Sequence, residues 1–135
     1  MDILEIYSSL LKVARSEFSH LIESGEIVLT PGRLPQKLRL TVIDGSLLDA
    51  FLSSSGRYSY HWERRTLDGT LYRHDNAPHQ RWRHIETFPK HFHNGSESDD
   101  NCEASYIASE PEEALRQFLR FIEDRLAKPA DHMKN

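Results

Sequence analysis

The fold turns on Arg57–Asp75, RYSYHWERRTLDGTLYRHD. Tyr58, Tyr60 and Trp62 alternate with Ser59, His61 and Glu63, the pattern of a strand with one apolar and one polar face. Asp68-Gly69 signals a tight hairpin, because a type I′ turn needs residues that tolerate positive φ. A two-residue loop there pairs Leu67 with Thr70. Stepping outward, Arg65 faces Tyr72, Glu63 faces His74 and His61 faces Asn76. The polar face then carries Arg57, Ser59, His61, Glu63, Arg65, Tyr72 and His74. The opposite face carries Tyr58, Tyr60, Trp62 and Leu71, and on this register Arg73 joins it.

The same alternation extends toward the N-terminus. Glu26–Thr30 is a short strand ended by Pro31-Gly32. In Lys37–Ile43, Leu38, Leu40 and Val42 alternate with polar neighbours. Asp44-Gly45 turns the chain into Leu47–Ser53, and Ser54-Ser55-Gly56 turns it again. Before these strands, Asp2 and Glu5 form a capping box. Apolar residues from Ile3 to Ile22 recur at helical spacing, with Gly25 as the stop.

Beyond Asp75, residues 76–89 read as irregular and residues 94–101 as a polar loop, and Ala104–Ile107 forms a last strand. Ser109, with Glu112 three residues on and Pro111 in the first turn, starts a final helix whose stripe is Leu115, Phe118, Leu119, Ile122 and Leu126. The expected class is α+β: an antiparallel meander of five to six strands, with an N-terminal and a C-terminal helix packed on one face. Residues 1–128 are expected to form one domain. Pro129 stops the helix, and residues 129–135 are expected to form a disordered tail.

The 135 residues suffice for one domain with its own core. The one cysteine, Cys102, argues against an internal disulfide or a cysteine-based zinc cluster and fits a reducing compartment. The N-terminus lacks the pattern of a signal peptide, and no apolar run approaches the roughly 20 residues that span a bilayer. A cytoplasmic protein without a membrane partner is expected.

The net charge of −4 argues against a general nucleic-acid binder, but the charge is unevenly spread. Residues 57–93 hold seven Lys/Arg against four Asp/Glu, leaving ten against seventeen elsewhere. Six of the eight histidines (His61, His74, His79, His84, His91 and His93) lie in that window, with both tryptophans. This reads as a local anion site on an acidic body.

The candidate chemistry follows from residue types. His61, Glu63 and His74 suit acid–base work, since a carboxylate opposite an imidazole orients it and raises its pKa. Arg57, Arg65 and Arg73 would hold phosphate, and Tyr72 would stack on a base or donate a hydrogen bond. His91 and His93 point to one side of an extended segment while Phe92 anchors the other. They complete the site, with Lys90, Arg81 and Arg83 nearby. Such a set suits metal-independent RNA cleavage, with the 2′-hydroxyl as nucleophile. The same residues are also compatible with ordinary cross-strand pairs on a solvated sheet face.

His91-x-His93 with His79 or His84 could ligate a metal, but no cysteine or carboxylate cluster adjoins the pair in sequence. No metal or other cofactor is therefore expected. Trp82 reads as a lid or core residue. No glycine-rich phosphate loop and no Gly-x-Ser-x-Gly elbow is present, and the acidic surroundings of Cys102 argue against a reactive thiolate.

GRYSYHWERR, LYRHDNAPH, WRHIETFPKHFHNGSE and SEPEEALRQFLRFI, across residues 34–122, resemble the TumE toxins of prokaryotic toxin–antitoxin operons. The specific motifs are Tyr-x-Tyr-His-Trp at Tyr58–Trp62, Arg-His-Asp-Asn at Arg73–Asn76 and Phe-Pro-x-His-x-His at Phe88–His93. The resemblance implies a toxin restrained by a cognate antitoxin, typically a helix-turn-helix DNA-binding protein. RNA is the expected substrate, and a homodimer is compatible with the sequence. Three mechanisms stay open: a metal-independent endoribonuclease, a growth inhibitor that only binds a protein or nucleic-acid target, and a histidine-ligated metal-dependent hydrolase.

Overall fold

In the computed structural model, which describes residues 2–128, seven antiparallel strands follow chain order in a single sheet, with one helix before them in sequence and one after. Residues 129–135, expected to stop the last helix and form a tail, lie outside the described residues. Helix α1 spans Ile3–Glu17, with Asp2 Oδ1 accepting from the Glu5 N–H at 2.8 Å. The helix ends at Glu17, eight residues before Gly25. Phe18 N–H bonds Ala14 O, and the N–H groups of Leu21 and Ile22 then both donate to Phe18 O, which turns the chain. Phe18, Leu21 and Ile22 keep the helical spacing and are buried, but they reach the core from this turn and from the first strand.

The strands are β1 (Ile22–Leu29), β2 (Pro35–Val42), β3 (Leu47–Leu52), β4 (Tyr58–Arg64), β5 (Thr70–Asp75), β6 (His91–Gly95) and β7 (Cys102–Ala104). The meander is therefore one strand longer than expected. β6 lies in the His-x-His segment, and β7 starts two residues before Ala104 and ends there. Helix α2 spans Pro111–Ala127 and is capped by Glu110 rather than Ser109. The Glu110 carboxylate accepts from the N–H groups of Glu112 and Glu113.

Both helices cover one sheet face. Leu38, Leu40, Val42, Leu48, Ala50, Tyr60, Trp62, Tyr72 and Phe92 form one buried cluster with Tyr7, Leu10 and Val13 of α1 and Leu115, Phe118, Leu119 and Ile122 of α2. Two buried polar atoms lock this layer. The Tyr7 hydroxyl donates to Gln36 O at 3.0 Å and accepts from Leu52 N–H at 2.9 Å, tying α1 to β2 and β3. Trp62 Nε1 donates to Ser46 Oγ at 2.8 Å.

The β4–β5 register departs from the one expected. Arg64, not Leu67, pairs with Thr70, so the connection has five residues, 65–69. The N–H groups of Leu67 and Asp68 both donate to Arg64 O at 2.9 Å, and Asp68 Oδ1 accepts from Thr70 N–H. Asp68-Gly69 ends this wider loop, with Gly69 at φ +82°. The shift is three residues, an odd number, so every β5 side chain changes face. Trp62 meets Tyr72, Tyr60 meets His74 and His61 meets Arg73. Leu71 and Arg73 leave the aromatic face for the open one, and Tyr72 and His74 move under the helices.

Candidate functional site

The corrected register builds a polar row across the open face, one residue per strand. Asp49 of β3 pairs with His61, His61 with Arg73, Arg73 with His93, and His93 with Cys102. The adjoining row runs Ser59, Asp75, His91 and Ala104. Residues 76–90 leave β5 and return to β6, and they carry Trp82 over this face. Its ring lies 5.5 Å from that of His91 and 5.6 Å from that of His93. Trp82 is 5% exposed, in keeping with the lid or core residue expected. Beside it opens a cavity of about 360 Å³ whose lining includes Arg73, Asp75, His79, Arg81, His91, His93 and Glu97.

Asp75 is the hub of the cavity. Its Oδ1 accepts from Ala77 N–H at 3.0 Å and lies 3.0 Å from His91 Nε2. Its Oδ2 accepts from Arg73 Nε at 3.1 Å and lies 3.8 Å from His93 Nε2. Burial opposes ionisation, but the hydrogen bonds from His91 and Ala77 and the His91 charge outweigh it, holding the carboxyl at about 2. For His91 burial also opposes the charge, yet Asp75 and the Pro89 carbonyl, 2.8 Å from Nδ1, raise its pKa. His93 moves the other way, to about 4, through burial and then the Arg73 charge. Its Nδ1 is buried without a hydrogen-bond partner among the described residues.

The sequence-expected residues divide between the two faces. His61 and Glu63 are on the open face, linked at 3.0 Å from Nε2 to Oε1. Arg65 extends from the loop and holds Glu63 through Nη2 at 2.7 Å, and this contact is the first cause of the Glu63 pKa of about 2. Arg73 Nη1 lies 3.3 Å from His61 Nδ1 and 3.2 Å from Glu97 Oε1. Arginine only donates, so His61 Nδ1 accepts and its Nε2 donates to Glu63. Glu63, His61, Arg73, Asp75 and His91 thus form one continuous chain of contacts.

His74 and Tyr72 are absent from this face. His74 stacks on Phe92 with ring centroids 4.1 Å apart, and its Nδ1 meets Ser105 Oγ at 2.7 Å. Tyr72 packs on Trp62 and Phe121, with the Arg125 guanidinium 4.9 Å above its ring. Arg57 lies in the β3–β4 turn, where its backbone pairs with Ser53. Lys90 is turned away, its Nζ donating to Ile107 O at 2.6 Å. His91 and His93 project together while Phe92 packs on the other side, as their alternation implied.

Asp75 and Cys102 were not expected at the site. Asp75 stands inside the quoted Arg-His-Asp-Asn motif, but a register three residues off hides its face. Cys102 is nine residues from His93 in sequence and directly across from it in the sheet. His91, His93 and Cys102 each bring one donor atom within 4.8 Å of the others, a group able to hold a metal ion. A cysteine therefore does adjoin the His-x-His pair, in space and not in sequence. Without a metal the thiol is no nucleophile: burial, then Asp75 and Asp99, push its pKa to about 11.

The family described as Toxin TumE matches residues 10–126. The chain belongs to the TumE toxin family. The TumE match takes in both rows of the candidate site and the loop that roofs them. None of the curated proteins and none of the solved structures compared matches the chain.

Proposed function

We propose that this TumE-family chain is the toxin of a toxin–antitoxin pair and that it acts on a phosphate-bearing nucleic acid, RNA by preference, at the Arg73–Asp75–His91–His93 cavity. The observation that carries this reading is the convergence there of Arg73 and Arg81 with a histidine pair, in the sequence segment that holds the basic excess of an acidic chain. Arg73 is held by Asp75 and Glu97 and Arg81 by Asp99, contacts a phosphate would compete for. Guanidinium groups present forked donors that match phosphate oxygens. The cognate antitoxin, a helix-turn-helix protein on this reading, would restrain the toxin in the cytoplasm.

A histidine-ligated hydrolase fits the site better than metal-free acid–base catalysis. A histidine that acts as general acid or base must present a free ring nitrogen to the substrate, and the Glu63 carboxylate is occupied by Arg65 and His61. His74 lies behind the sheet. His61 has both ring nitrogens engaged, by Glu63 and Arg73. His91 likewise meets Pro89 O and Asp75. Among the described residues His93 keeps a buried, unpartnered Nδ1 and pairs with Cys102, while His79, exposed at the cavity, makes no described side-chain hydrogen bond.

The test is purified protein with RNA, with and without EDTA, alongside growth assays. Cleavage that EDTA abolishes is expected. Arg73→Ala should weaken RNA binding by about tenfold to a hundredfold, the value of a charge-assisted contact, and relieve growth arrest. EDTA-insensitive cleavage would return the reading to acid–base chemistry. Growth arrest with RNA left intact would make the protein a blocking binder.

A further inference from the structure

We propose that His91, His93 and Cys102 form a three-ligand site for a divalent ion of the zinc class, with its remaining position open to the Arg73 cavity. The proposal rests on the hydrolase reading above and names the ion that reading needs.

The sheet itself builds the site. Strand periodicity sends His91 and His93 to one face of β6, and the β6–β7 register sets Cys102 against His93. Three donors thus come from two adjacent hydrogen-bonded strands, within 4.8 Å of one another. A rigid backbone of this kind holds ligands more closely than loops do. His91 is 1% exposed and His93 4%. A buried imidazole nitrogen with no partner is unusual, because it has given up water for nothing. His93 Nδ1 is such an atom, in one of the three donor residues.

The surroundings fit an ion as well. The Pro89 carbonyl, 2.8 Å from His91 Nδ1, holds a proton on that nitrogen, so His91 would ligate through Nε2, giving up its proton and its contact with Asp75 to do so. A backbone carbonyl on the distal nitrogen is the usual outer support of a metal-bound histidine. Asp75, 3.0 Å from that Nε2, is the adjoining carboxylate. One thiolate and one carboxylate balance a divalent charge in this buried place. Binding releases the Cys102 proton and, where His91 is protonated, its Nε2 proton. Imidazole and thiolate donors select zinc or cobalt over magnesium and manganese, which favour oxygen. Three protein ligands with an open position are the pattern of catalytic zinc, whereas structural sites are closed by four.

The experiment uses the full chain, stripped with chelator and titrated with Co²⁺ without RNA. The expected result is one cobalt per chain, with a thiolate-to-cobalt charge-transfer band, displaced by Zn²⁺ and unaffected by excess Mg²⁺. Cys102→Ser should abolish the band. His93→Gln should weaken binding by at least about tenfold, and His84→Ala, an exposed residue outside the cavity, should bind as wild type. Folded wild-type protein without the band, or displacement by Mg²⁺, overturns the proposal whether or not the variants fold. Because no nucleic acid is present, absence of metal binding is distinguishable from absence of RNA cleavage or toxicity.

Discussion

Asp75 shows how much one side chain can organise. It meets the Ala77 N–H, Arg73 and His91 within 3.1 Å, at 8% exposure. Removing its charge leaves Arg73 and the buried His91 without their shared carboxylate. Asp75→Asn should cost roughly 3 kcal/mol in urea unfolding, the range for a broken buried pair, and should abolish toxicity. An Asp75→Asn protein that kept wild-type toxicity would remove Asp75 from the working site.

His74 makes a different prediction. Its pKa is held at about 4, first by burial and then by the Lys90 charge, with Asp75 opposing and His91 adding to the shift. The native state therefore resists a proton that the unfolded chain accepts below the ordinary value of 6.5. Its contribution to stability is complete above pH 6.5 and is lost as pH falls toward 4. The loss amounts to about 3 kcal/mol. His74→Gln should flatten the stability profile across that window relative to wild type, in thermal unfolding at a series of pH values. It should also leave RNA binding unchanged, because His74 lies under the helices. Loss of RNA binding without loss of fold would contradict that placement.

Among the elements, β1 shows why a helix-stop residue can serve as a strand residue. Gly25 lies in β1 opposite Leu40, where α1 packs down onto the sheet. A Cβ there would stand 2.7 Å from Leu11 Cδ1 and 2.8 Å from Leu40 Cδ2. The missing side chain permits the close approach of helix and strand. Gly25→Val should destabilise the protein by about 1–3 kcal/mol, the usual cost of overpacking, read as a lower urea midpoint with an unchanged slope. An unchanged midpoint would mean that α1 yields more readily than this packing implies.

β6 carries the complementary lesson. Its alternation was readable in His91-Phe92-His93, but its membership of the sheet was not. Five residues with two histidines and a terminal glycine offer little strand propensity. What places β6 is pairing on both sides, to β5 and to β7.

On the scale of the whole molecule, the sheet separates stability from chemistry. One face is closed by α1 and α2 over an aromatic and aliphatic core. The other keeps its charges and is partly roofed by residues 76–90. No described helix is long and apolar enough to cross a membrane. The segment from Arg57 to His93 crosses β4, β5, the roof and most of β6, and its basic side chains divide: Arg65, Arg73 and Arg81 serve the open side, whereas Arg64 stacks on Trp62 and Lys90 turns to Ile107.

The α+β class, the two helices on one face and the burial of Tyr60 and Trp62 were legible in the sequence, because each rests on local periodicity and caps. So was the paired direction of His91 and His93, which needs only an extended backbone. Which residues of β5 face His61 could not be read in the same way. That depends on loop length, and the loop is set by bonds from Leu67 and Asp68 to Arg64 and by the Asp68–Thr70 contact, not by the Asp-Gly pair alone. A three-residue shift exchanges His74 and Tyr72 for Arg73 and Asp75. The meeting of Cys102 with His93 likewise follows from strand pairing, which brings together residues that sequence spacing keeps apart. Tertiary structure decided the composition of the site because a strand's register is a long-range property, while its periodicity is a local one.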